Sequence, residues 1–83
     1  MLNIKILGPG CANCKKLEEL THQAVEQLSI EAEVIKVTDY ADIMKYNLMS
    51  TPGLVINEKI VSSGRIPSAG ELTTFLTNAL MES

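Results

Sequence analysis

Residues 8–14 of the chain, Gly-Pro-Gly-Cys-Ala-Asn-Cys, separate two segments of different periodicity. Before them, residues 2–7 (Leu-Asn-Ile-Lys-Ile-Leu) carry branched side chains in rough alternation, the pattern of a strand. After them, Leu17, Leu20, Ala24, Val25 and Leu28 recur at helical spacing across residues 12–29. Lys15, Lys16, Glu18, Glu19 and Glu26 fall on the wet side of that helix. A second strand pattern follows at residues 32–37. A strand, a crossover helix and a strand should leave the two strands parallel. The junction therefore constrains the fold more than any other part of the chain.

The remaining elements follow from local signals. Thr38 or Asp39 can cap a short helix carrying Ile43, Met44 and Leu48, and Thr51-Pro52-Gly53 stops it. Leu54-Val55-Ile56 and Lys59-Ile60-Val61 flank Asn57-Glu58, which suggests a tight hairpin. Ser68 and Glu71 form a capping-box pattern ahead of Leu72, Phe75, Leu76, Ala79 and Leu80, the apolar stripe of a last helix. The expected order is βαβαββα. It makes an α/β fold with a mixed four-stranded sheet and helices on both faces. The 83 residues allow one domain spanning residues 1–83, with no repeat or linker.

Composition narrows the function. Seven basic and ten acidic residues give a net charge of −3. That balance suits no general nucleic-acid binder, since phosphate neutralisation needs clustered cations. No apolar run approaches the ~20 residues of a membrane helix. The opening Met-Leu-Asn-Ile-Lys-Ile-Leu-Gly is too short and broken for a signal peptide. A cytoplasmic location is expected, where stable disulfides are rare.

The two cysteines, Cys11 and Cys14, must then serve chemistry. A loop closed over two intervening residues is a poor staple. A four-ligand zinc site within the chain would need two more soft ligands, and His22 is the only histidine. Redox chemistry or transient capture of a soft metal ion remains. The cysteine pair opens the first helix, where unpaired amides carry roughly half a positive charge. A thiolate there is stabilised, and its pKa can fall from ~8.5 to about 7 or below. Residues three apart share a helix face, so the two sulfurs can meet. Cys11, after Gly10, should be the exposed nucleophile, and Cys14 the resolving thiol. The bland alternative is a pair of small core residues. It fits poorly beside a Gly-Pro-Gly break.

Thr51-Pro52 is the second informative spot. Proline before a strand can be a plain helix stop. A cis peptide there would instead turn Thr51 backbone groups outward, where an extended substrate could pair with them. Residues Thr51, Pro52 and Gly53 would then form a substrate rim, if the fold brings them beside Cys11. His22 reads as a solvated surface residue, and Tyr40 and Tyr46 as packing groups. Met44 and Met49 are candidates for the apolar edge near the site, or ordinary gap fillers. Lys15 and Lys16 are candidates to hold a nearby thiolate, although a wet helix face explains them as well.

Taken together, Gly8-Pro9-Gly10-Cys11-Ala12-Asn13-Cys14, Thr51-Pro52-Gly53-Leu54-Val55-Ile56 and Gly64-Arg65 make the chain resemble a small, glutaredoxin-sized thioredoxin-like protein, of the kind called redox-active disulfide proteins. The resemblance implies a thioredoxin-like fold and a thiol–disulfide oxidoreductase that reduces protein disulfides. It implies a cis Pro52 packed against the cysteine pair. The working group would be the Cys11–Cys14 disulfide with no cofactor. The expected partners are disulfide-containing proteins and a reductase as electron donor, with the chain acting as a monomer. Ordinary thioredoxins carry Trp-Cys-Gly-Pro-Cys, whereas this chain has no Trp and places Ala12-Asn13 between the cysteines. They also carry a buried aspartate on the strand entering the motif, where this chain has Lys5. No acidic residue precedes Glu18. The Cys14 proton should therefore leave through water or to the departing Cys11 thiolate. Lys5 reads as a stem packed on the helix edges with its ammonium in water, or as a cation within reach of the sulfurs.

The alternative is a copper chaperone domain, since soft Cu(I) accepts two thiolates. That family runs βαββαβ and ends in a strand. Its loop usually carries Met two residues before the first Cys, where this chain has Pro9.

Overall fold

A computed structural model describes residues 2–47 and 50–82. The strands are β1 (Leu2–Leu7), β2 (Ala32–Val37), β3 (Gly53–Ile56) and β4 (Lys59–Ser63). The helices are α1 (Ala12–Leu28), α2 (Tyr40–Met44) and α3 (Ala69–Glu82). The sheet order is β2-β1-β3-β4. Strands β1 and β2 are parallel, as a helical crossover requires, and the other neighbours are antiparallel.

Alternation along β1 divides its side chains between the two faces. Leu2, Ile4 and Ile6 join Leu54 and Ile56 under α1 and α3, against Leu17, Ala24, Leu72 and Leu76. Leu7 and Val55 point the other way and meet Ile43 of α2, with Val37 and Tyr46 at the margin. The second core is much the thinner. Helix α1 ends where Ser29 turns left-handed (φ 51°), and Ile30 N–H donates to the Val25 carbonyl at 3.4 Å.

Local signals reappear as bonds. The Asp39 carboxylate accepts from Ala41 N–H at 2.9 Å and caps α2. Asn57 and Glu58 both take positive φ, 50° and 67°, the geometry of the tightest hairpin turn. Ser68 Oγ accepts from Glu71 N–H at 3.2 Å, and a Glu71 carboxylate oxygen accepts from Ser68 N–H at 3.3 Å.

Three expectations shift. Helix α2 ends at Met44, and Met44 is exposed rather than seated at an apolar edge. Leu48 and Met49 lie outside the described residues. Leu80 is exposed, because at 3.6 residues per turn Ala79 takes the core position one heptad after Leu72.

Candidate active site

The site forms where β1 stops. Past Leu7 the chain turns through residues 8–10, and Gly10 takes φ 93°, a conformation glycine adopts readily. Cys11 is the N-cap of α1, and its Sγ accepts from Cys14 N–H at 3.2 Å. The two cysteines form a disulfide with their Cα atoms 5.0 Å apart. Cys11 is half-buried, whereas Cys14 is only 5 % exposed.

Gly8 makes room for the inner sulfur. A Cβ added there would collide with Cys14 Sγ, lie 3.3 Å from Cys14 Cβ, and stand 3.9 Å from Thr51 Cβ. The sheet explains why Thr51 is present. Gly53 pairs with Leu7, so the chain entering β3 runs back past residues 8–10. The Thr51–Pro52 peptide bond is cis. Pro52 and Gly53 are buried, and Thr51 is exposed at the rim. Gly64 N–H donates to the Pro52 carbonyl at 2.9 Å, which ties the start of the last connection to the same segment. The structure thus brings Thr51, Pro52 and Gly53 to the end of the sheet where the cysteines stand.

Lys5 does not line the cavity beside Cys14, and it is not simply solvated. Its Nζ donates to Tyr46 Oη at 2.8 Å and to Glu58 at 2.7 Å, and Tyr46 Oη donates to the other Glu58 oxygen at 3.0 Å. These bonds hold Lys5 charged well above the ordinary lysine range, through Glu58 first and Tyr46 second. They hold the Glu58 carboxyl below the usual carboxylate range. Tyr46 packs as expected but also bonds, on the α2 face of the sheet. Sequence reading could not find this triad, because its members lie 41 and 53 residues from Lys5.

Two further residues were underrated in the sequence. Glu18, assigned to the wet face, lines a cavity shared with Cys14 and sits 3.7 Å from Lys36. Its spacing of four from Cys14 was the available signal. Gly8 read only as part of a break. His22, Lys15 and Lys16 are exposed.

A thioredoxin-domain family model matches residues 2–77. The chain belongs to the thioredoxin family. It is 40 % identical over 80 residues to a thioredoxin of Methanocaldococcus jannaschii, covering 96 % of this chain and 92 % of that protein. It is 36 % identical over 77 residues to a thioredoxin of Methanothermobacter thermautotrophicus, covering 93 % of this chain and all of the relative. Among solved structures, a malaria-parasite thioredoxin-2, a component of the protein secretion machinery, superposes with a TM-score of 0.72 at 12 % identity, covering 94 % of this chain and 82 % of that one. The germline-specific thioredoxin Deadhead of Drosophila melanogaster gives 0.66 at 19 % identity, covering 93 % and 79 %. These two likenesses carry the fold.

The protein is a thiol–disulfide oxidoreductase of the thioredoxin kind. Its family reduces disulfide-containing proteins with electrons from a reductase. The copper-chaperone alternative required a chain ending in a strand, and this one ends in α3. Among the described residues, no group of three or more His, Cys, Asp or Glu could hold a metal ion. No helix there is long and apolar enough to cross a membrane.

Proposed function

We propose that Cys11 is the attacking thiol and Cys14 the resolving thiol of a cytoplasmic, monomeric protein-disulfide reductase that works as a single domain. The difference in setting between the two sulfurs carries this reading. Cys11 sits at the N-cap, half-exposed, with its sulfur already accepting a hydrogen bond from the Cys14 N–H in the first turn of α1. That bond and the unpaired amides favour the thiolate, which is the attacking species. Cys14, turned inward against Gly8, is reached by Cys11 before any substrate.

The exchange then runs in two steps. Cys11 thiolate attacks one sulfur of the substrate disulfide, forming a mixed disulfide and releasing the substrate's other sulfur as a thiolate. Cys14 then attacks Cys11 Sγ, the bond to substrate breaks, and the chain leaves with its own disulfide. Two electrons pass from the dithiol to the substrate. Thr51, Pro52 and Gly53 form the rim on which an extended substrate strand lies, supported by the position of Thr51 beside Gly8. A reductase returns the Cys11–Cys14 disulfide to the dithiol.

The test is a pair of single substitutions. Cys14→Ser should accumulate mixed disulfides with oxidised insulin chains or lysate proteins, separable on non-reducing gels. Cys11→Ser should accumulate none. Trapping by Cys11→Ser alone would reverse the two roles.

A further inference from the structure

The resolving step needs a recipient for one proton. Cys14 must lose it as its sulfur displaces the substrate from Cys11. Burial penalises a free thiolate at Cys14. A base that takes the proton while the sulfur attacks avoids that desolvated anion.

A cavity of about 60 Å³ opens beside Cys14, walled by Ile6 and Gly8 and rimmed by Glu18, Lys36 and Thr38. That volume admits water. Among the described residues, Glu18 is the only carboxylate lining it. Glu18 stands one helical turn beyond Cys14, on the same face of α1. Its side chain is 24 % exposed and lies 3.7 Å from Lys36 Nζ. Lys36 pairs with Ile6 in the sheet, so the ion pair closes the cavity over β2. Other titratable groups on the same side of α1 are Lys15, also on the cavity, and the exposed His22 one turn further along. On β2, Glu33 alternates to the opposite face from Lys36. Lys5 is engaged there with Tyr46 and Glu58.

From this we infer that Glu18 relays the proton of Cys14 through water in the cavity during resolution. The inference rests on Cys14 being the resolving thiol. As Cys14 Sγ bonds to Cys11 Sγ, the Cys14 S–H bond breaks and its proton passes through water to the Glu18 carboxylate. The Cys11–substrate S–S bond breaks, and the substrate sulfur leaves with the electron pair. It then takes up a proton through solvent, and Glu18 returns to its carboxylate. Lys36 stands 3.7 Å from that carboxylate, and both side chains line the cavity.

The aromatic disulfide dithiobis(nitrobenzoate) separates the two steps. Reduced protein releases one thionitrobenzoate when Cys11 attacks and a second when Cys14 resolves. The second phase is independent of reagent concentration and is followed by stopped flow from about pH 5 to about pH 10. Glu18→Gln should slow it by about tenfold or more at neutral pH and converge with the unsubstituted protein at alkaline pH, where the thiolate forms unaided. Glu18→Asp, which keeps the carboxylate, should recover part of the loss. Superimposable curves for Glu18→Gln, or an equal slowing at every pH, would overturn the relay while leaving Cys14 as the resolving thiol. A second phase that survives Cys14→Ser would overturn that assignment, and the relay with it.

Discussion

Gly8→Ala tests how tightly the fold grips the inner sulfur. The added methyl would collide with Cys14 Sγ and press to 3.3 Å on Cys14 Cβ. Neither side yields easily, since Gly8 follows a central strand and Cys14 sits in the first turn of α1. Overpacking of this kind costs about 1–3 kcal/mol. The cost should fall mainly on the oxidised protein, where the sulfur is tethered to Cys11. The reduced thiol can change rotamer. If the whole cost lands on the disulfide form, the reduction potential rises by about 20–65 mV, at about 30 mV per 1.4 kcal/mol for two electrons. Equilibration in graded glutathione and dithiothreitol buffers measures that shift. Urea unfolding of the oxidised and reduced forms measures the same difference by a separate route. Gly10→Ala is the control. Its Cβ would meet nothing within 4 Å, but φ 93° strains any L-residue. It should destabilise both redox forms alike, by about 1–2 kcal/mol, and leave the potential in place. An unmoved potential in Gly8→Ala, with both forms equally destabilised, would refute the idea that Gly8 acts on the tethered sulfur.

Two other outcomes follow from the same geometry. Gly64→Ala should destabilise the fold by about 1–3 kcal/mol in urea titration, since the new Cβ would collide with Ser50 Oγ while the backbone holds φ 73°. For pH, Glu58 is held low by Lys5 first and Tyr46 second, and Glu71 by the Arg65 guanidinium first and the Ser68 backbone second. A depressed folded-state value contributes stability above the ordinary 4.5, and that stability is lost as pH falls through the folded value. Urea midpoints should therefore drop on acidification below 4.5, less so in Glu58→Gln and Glu71→Gln, and less again at high salt. Parallel acid profiles for all three proteins would contradict this.

What was legible in the sequence was local. The change from period two to helical spacing placed β1, α1 and the cysteine pair, because one interrupted segment supplies all three. Ser68 with Glu71, and Asn57 with Glu58, were readable because each pattern is satisfied within four residues. What failed depended on contacts made by folding. Leu80 matched a stripe that the helix rotates out of the core. Gly8 read as a breaker, although its missing Cβ is what admits the Cys14 sulfur. Glu18 read as solvated because nothing local shows that Lys36 of β2 crosses over it.

Lys5 shows how the two faces of the sheet divide the work. The thin α2 core has Leu7, Ile43 and Val55 as its buried members. A chain of 83 residues has little other apolar surface to add there. The Lys5, Tyr46 and Glu58 bonds supplement that core by joining β1, the segment after α2 and the β3–β4 turn. Tyr46 lies five residues before Thr51 in the chain. A cation placed in this way is taken up by its own partners and cannot serve the sulfurs. The groups the described residues place beside them are the α1 amide at Cys11 and, across the sheet from Lys5, Lys15 and Glu18 with its Lys36 partner.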